Sequence, residues 1–185
     1  MALTFANKVT VGRILIVPFF IATLLYSPER TYLRHVALGI FLLAMISDVI
    51  DGYIARERKQ KTRAGAILDP LADKLLLMSA FLCLYKIGDL FLRVRFPMWL
   101  VVAVISRDAI LLVGSMIIYL FQGKLDIQPT IWGKATTFCQ VMSILGIFFQ
   151  WNFSVYIWSV TIVLATISAV DYIRNGIKVL NDHAG

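Results

Sequence analysis

The chain has 185 residues, a length suited to one domain spanning 1–185. Hydrophobic residues make up 59%, charged residues 16%, and mean hydropathy is +0.80, which excludes an ordinary soluble globular protein and points to an integral membrane protein. The net charge is +7, but the basic residues flank apolar runs and form no stripe on a polar face, so the expected partner is a membrane surface and no nucleic acid.

Taken in order, the chain offers six apolar runs of about the 20 residues a span requires, at roughly 9–27, 35–56, 65–86, 97–121, 132–151 and 153–173. The first carries Lys8 and Arg13 but no small-residue cleavage site after it, so it reads as a retained helix. Asn7 or Thr10 suits its N-cap, and Pro18 a kink within it. Ser27-Pro28-Glu29-Arg30 breaks the first pair of runs, and Gly88-Asp89 with Arg93, Arg95 and Pro97 breaks the third and fourth. Gln122 to Asp126 with Pro129 fills the next gap, and Gln150-Trp151-Asn152 makes the last turn. Strand-like alternation, repeats and low-complexity segments are missing from the sequence. The expected fold is all-α, a polytopic membrane protein of six transmembrane helices with a polar cavity facing the cytoplasm.

Orientation follows from the second loop, where Arg56, Arg58, Lys59, Lys61 and Arg63 face Glu57 alone. That loop belongs in the cytoplasm, which with six spans places both termini there. Arg174 and Lys178 agree, while Arg93 and Arg95 fall on the outer side. Trp99, Trp132, Trp151 and Trp158 lie near span ends and read as interfacial anchors. Cys83 and Cys139 sit inside apolar runs and read as small hydrophobes, with no disulfide and no thiolate metal site.

The chemistry concentrates between the second and third runs. The sequence D-V-I-D-G-Y-I-A-R covers Asp48 to Arg56, and G-A-I-L-D-P-L-A-D covers Gly65 to Asp73. On helices, Asp48 and Asp51 share one face, and Asp69 and Asp73 share another. Each such charge costs roughly 2.5–3.5 kcal/mol near mid-bilayer, so four left bare would cost on the order of 10 kcal/mol. A cation must therefore accompany them. Clustered carboxylates without His or Cys are hard oxygen ligands, suited to Mg²⁺ or Mn²⁺. Plain ion pairing with Arg56 and Lys74 is the structural alternative for one or two of them.

The stretch resembles the signature of the CDP-alcohol phosphotransferase family, D-x-x-D-G-x-x-A-R-x(8)-G-x(3)-D-x(3)-D, at every specified position: Asp48, Asp51, Gly52, Ala55, Arg56, Gly65, Asp69 and Asp73. The resemblance implies two Mg²⁺ or Mn²⁺ ions held by Asp48, Asp51 and Asp69, with Asp73 as a further ligand or as the catalytic base toward the incoming hydroxyl. It gives Gly52, Ala55, Arg56 and Gly65 to the cytidine diphosphate group. Arg107 and Asp108 within I-S-R-D, and Lys134 within P-T-I-W-G-K-A-T-T-F-C-Q, look like further family features. With Thr10 and Arg13 from an N-x-x-T-x-x-R-x(4)-P pattern, Arg107 and Lys134 suit an anionic acceptor. A structural ion pair is the alternative for Arg107 and Asp108.

The implied reaction is phosphatidyl transfer from CDP-diacylglycerol to an alcohol with release of CMP, in a bacterial inner membrane and from a homodimer. The favoured acceptor is sn-glycerol 3-phosphate, as in phosphatidylglycerophosphate synthases. The region Leu111 to Met116 departs from many of those synthases in lacking a second Arg, and cardiolipin synthases acting on phosphatidylglycerol share the I-S-R-D pattern. Outside enzymes, a divalent cation carrier is the rival, since buried carboxylates also mark ion pathways. A carrier predicts acidic residues over several helices or in repeats, whereas this chain gathers its four around one basic loop.

Overall fold

Inside a bilayer each backbone N–H and C=O must find its partner within the segment, so long apolar runs become helices. Among the residues that the computed structural model describes there are six of them: α1 (Phe5–Leu25), α2 (Thr31–Glu57), α3 (Arg63–Phe91), α4 (Met98–Gln122), α5 (Ile131–Phe148) and α6 (Ser154–Asn181). It describes residues 5–57, 63–122 and 130–181, with side chains given for 10–47, 50, 71–88, 92–117 and 130–175. Among the described residues there is no strand, as expected for an all-α chain.

Each apolar run has become a helix, with ends displaced. The first helix starts at Phe5, so Asn7 and Thr10 lie inside it and neither is its N-cap. Pro18 is also interior and exposed, and its missing N–H removes the bond to the Ile14 carbonyl. Gly88 and Asp89 fall inside α3, and the break comes later, at Leu92 to Pro97. An isolated helical Gly is only modestly unfavourable, whereas Pro97 has no N–H with which to continue a helix. The Pro97 carbonyl instead accepts from Leu100 N at 3.1 Å and opens α4. The stretch 123–129 lies outside the described residues, and so does the expected break there.

Among the described residues, Met98–Ile117, Ile131–Phe148 and Ser154–Asn175 are long and apolar enough to cross a membrane. Thr10–Leu25 and Thr31–Ser47 are shorter apolar stretches. Exposed Phe19, Leu43, Val113 and Val163 present the apolar outer surface of a membrane protein.

The helices fall into two compact units, Met1–Leu92 and Arg93–Gly185. In the first, α1 packs against both α2 and α3, and Phe20 meets Phe41 with ring centroids 6.0 Å apart. In the second, α6 packs against both α4 and α5. Gly114 admits the Tyr172 ring so closely that a Cβ there would lie 2.7 Å from it, and the Tyr172 hydroxyl donates to the Leu111 carbonyl at 3.3 Å. Ser143 and Thr161 share a buried hydrogen bond of 3.2 Å between α5 and α6. Trp158 departs from its expected interfacial place: it is buried and packs on Phe96 at 5.7 Å. Trp99 and Trp132 are exposed at helix starts, as anchors would be.

The α5–α6 turn is unusually well bonded. Trp151 N donates to the Gly146 carbonyl (2.9 Å) and Gln150 N to the Ile147 carbonyl (3.2 Å), a Schellman closure with Gln150 at φ 54° where Gly is usual. The Gln150 side chain offsets that strain: Oε1 accepts from Val94 N (3.0 Å), and Nε2 donates to the carbonyls of Val94 (3.3 Å) and Ile147 (2.7 Å).

Candidate active site

Both halves of the acidic motif are helical. α2 runs unbroken through Asp48–Arg56, and α3 through Gly65–Asp73, starting at Arg63 rather than at the expected Gly65, within the ordinary spread of helix ends. The backbone therefore keeps Asp48 and Asp51, and Asp69 and Asp73, one turn apart. The side chains of Asp48, Asp51, Gly52, Ala55, Arg56, Gly65 and Asp69 lie outside the described residues. Asp73 is described and half-buried, as is Lys74. The donor set, carboxylates at one-turn spacing with no Cys or His in either stretch, fits a hard divalent cation. Among the described residues no group of three potential metal ligands occurs, since three of the four carboxylates fall outside them.

Thr10 and Arg13 stand at i, i+3 on α1, 3% and 4% exposed, on the helix that packs on both motif-bearing helices of the first unit. Burying an arginine is costly unless its charge is matched.

The second unit holds a buried polar cluster. Arg107 on α4 donates from Nη1 to Asp108 Oδ1 (2.6 Å) and from Nη2 to Ser168 Oγ on α6 (2.7 Å). Gln140 on α5 donates from Nε2 to Asp108 Oδ2 (3.3 Å), so three helices meet in one network. Arg107 is 4% exposed, and Asp108, Gln140 and Ser168 are 1% or less. The ion-pair alternative for Arg107 and Asp108 is thus realised. The guanidinium is not exhausted by it: of five N–H donors, two are engaged. Nε has no partner, and neither has Gln140 Oε1. Polar atoms this deeply buried are ordinarily satisfied, so these two stand out in the cluster.

The network reaches the start of α5. Thr130 caps that helix, its Oγ1 accepting from Gly133 N at 3.1 Å. Lys134 follows in the first turn and is exposed. Asp171 takes a hydrogen bond from Asn175 (3.4 Å). The partnership of Ser168 with Arg107, across 61 residues, had no signal in the sequence. Gln140 was visible only as a motif position, and its contact with Asp108 was not.

Comparison with known proteins bears on both units together. The model of the CDP-alcohol phosphatidyltransferase family matches residues 3–170. A protein of Mycobacterium tuberculosis named "Probable phosphatidylglycerophosphate synthase" is 33% identical over 181 residues, covering 94% of this chain and 81% of that one. The CDP-diacylglycerol–glycerol-3-phosphate 3-phosphatidyltransferase of Aquifex aeolicus is 31% identical over 182 residues, covering 94% and 96%. A CMP-forming cardiolipin synthase of Oryza sativa is 40% identical, over 82 residues that cover 44% and 24%. With a family match running from α1 into α6 and the acidic signature intact on α2 and α3, the chain belongs to the CDP-alcohol phosphatidyltransferase family.

Proposed function

We propose that this membrane protein is a phosphatidyltransferase moving the phosphatidyl group of CDP-diacylglycerol onto sn-glycerol 3-phosphate. The observation that carries the reading is the eight-position signature lying on two unbroken helices that both pack against α1. The acceptor rests on the relatives: two that cover 94% of the chain are named for glycerol 3-phosphate or its product, while matches named as cardiolipin synthases cover 44% and 74% of it.

Arg56 offers a planar donor fork to the pyrophosphate. Gly52 and Ala55 leave space for the nucleotide, and Gly65 brings it to the N-terminal end of α3, where amide dipoles favour an anion. Asp73 accepts the proton of the acceptor hydroxyl. The hydroxyl oxygen bonds to the lipid-side phosphorus, the bond from that phosphorus to the bridging oxygen breaks, and the electron pair leaves with CMP. Two Mg²⁺ or Mn²⁺ ions, when bound by Asp48, Asp51, Asp69 and Asp73, supply neutralisation of phosphate charge. Thr10, Arg13, Arg107 and Lys134 serve the acceptor's phosphate. The unclaimed donors of buried Arg107 support that role.

The remaining architecture follows the same reading: one domain over 1–185, six crossings of a bacterial inner membrane, both termini and the site on the cytoplasmic side, and a homodimer. The test is CMP release by purified protein given CDP-diacylglycerol and Mg²⁺ or Mn²⁺. Release with glycerol 3-phosphate supports the proposal. Release with phosphatidylglycerol alone would make the protein a cardiolipin synthase, and cation flux into liposomes without CMP release would make it a carrier.

A further inference from the structure

Arg93 and Arg95 run against the charge bias that orients the chain, since the basic second loop leaves them on the outer side. The structure gives them definite surroundings. They flank Val94, whose N–H and carbonyl are both held by the Gln150 side chain, at 3.0 and 3.3 Å. Phe96 is buried against Trp158, so the stretch is pinned from within while Arg93 and Arg95 stay exposed.

Gln150 itself stands inside a stack of aromatic rings. Phe149 and Trp151 have centroids 5.8 Å apart with their planes at 18°, and Trp151 and Phe153 are 5.2 Å apart at 16°. Phe149 and Phe153 are 54% and 53% exposed. Three near-parallel rings with that much exposure make an apolar plate on the outside of the second unit, an arrangement that is unfavourable in water. The Gln150 grip thus sets two guanidinium groups beside the plate. In 92–99 and 149–158 the only formal charges are those of Arg93 and Arg95, so the face is purely cationic.

On the membrane reading above, the turn between Ile131–Phe148 and Ser154–Asn175 lies at headgroup depth, where aromatic rings and the apolar stems of arginines rest. The abundant anion at that depth is lipid phosphate, and a guanidinium meets it with a planar pair of donors. A zwitterionic headgroup brings its own cation to the same face, so charge complementarity favours a lipid with net negative charge.

We propose that Arg93, Arg95 and the Phe149–Trp151–Phe153 stack form a docking platform for anionic phospholipid headgroups. The arginines take the phosphate, and the rings rest against the glycerol and the upper acyl chains. The platform is separate from the reacting end of the molecule: Lys134 stands in the first turn of the 18-residue helix α5 and Phe149 closes its far end, about 27 Å away at 1.5 Å per residue. It depends on the membrane reading and not on the transferase reading.

The test places the protein in phosphatidylcholine vesicles that carry brominated phosphatidylglycerol or brominated phosphatidylcholine. Quenching of tryptophan fluorescence gives the relative association constant of the two lipids. The parent should prefer phosphatidylglycerol. In Arg93→Gln/Arg95→Gln that preference should fall about fivefold or more, the worth of one basic residue at an anionic surface. Arg93→Lys/Arg95→Lys should keep most of it, and added salt should weaken it in the parent more than in the Gln variant. Should the double Gln variant not fold, Arg93→Gln alone reads the loss at one exposed position.

A preference that survives both Gln substitutions, or is missing from the parent, overturns the platform. A change in assembly size on the same substitutions, with lipid preference unchanged, overturns it too and gives the face to a second copy of the chain. Protein that carbonate strips from the vesicles defeats the membrane reading and the platform with it. Embedded protein that shows the arginine-dependent preference but releases no CMP defeats the transferase reading and leaves the platform supported.

Discussion

Replacing Asp108 by Ala should unfold the second unit's polar network from its centre. The carboxylate is fully buried, accepts from Arg107 Nη1 at 2.6 Å and from Gln140 Nε2 at 3.3 Å, and neutralises a guanidinium only 4% exposed. Without it, Arg107 keeps one partner, Ser168. Breaking a buried pair by removing one member costs about 3–5 kcal/mol, because the remaining charge has no compensation. The stranded Gln140 amide pushes the loss toward the upper end of that range. A loss of that size corresponds to a fall in Tm on the order of 10 °C. Equilibrium unfolding in mixed micelles, read by intrinsic tryptophan fluorescence, measures it. The companion double variant R107M/D108L removes both charges and should recover most of the loss, as apolar replacements of buried pairs do. Asp108→Ala within about 1 kcal/mol of the parent, or a double variant less stable than Asp108→Ala, would refute the view that this pair is held by mutual neutralisation.

Asp73→Asn should lower kcat by about 10²–10⁴-fold, the usual contribution of a general base, with little change in unfolding midpoint because Asp73 is only half-buried. EDTA should abolish CMP release and added Mg²⁺ or Mn²⁺ restore it; activity that survives thorough chelation would remove the metal requirement. Lys134→Ala, at an exposed position, should raise the acceptor KM roughly tenfold and leave stability within about 0.5 kcal/mol of the parent, as kinetics paired with thermal unfolding will report. Gln150→Leu should cost about 2–3 kcal/mol, since it removes three side-chain hydrogen bonds and keeps the left-handed backbone. Gln150→Gly should cost about 1 kcal/mol less, the strain at φ 54° being relieved.

The helices were legible because run length alone decides them: about 20 apolar residues have no other way to satisfy their backbone in lipid. The acidic signature was legible because its eight fixed positions need no knowledge of packing. What packing decides was not legible. Trp158 and Trp99 look alike in sequence, each a tryptophan near a span end, yet one is buried on Phe96 and the other is exposed. Gly88 lies inside α3, which runs on to Phe91, because a missing side chain weakens a helical ladder without breaking it, while Pro97 stands at the start of α4. Ser168 reads as one more small residue in an apolar run, and only the approach of α6 to α4 gives it to Arg107.

The two-point grip of Gln150 on the Val94 peptide carries a topological consequence. It ties the start of α4 to the turn joining α5 and α6, so residues 93–97 and 149–153 are held at one end of the α4, α5 and α6 bundle. On the proposed reading, in which α4 and α5 each cross the bilayer once, that end of the bundle faces a single compartment, a sidedness independent of where lysines and arginines fall. A membrane-impermeant thiol reagent acting on single cysteines placed at 93 and 152 would label both from one compartment or neither.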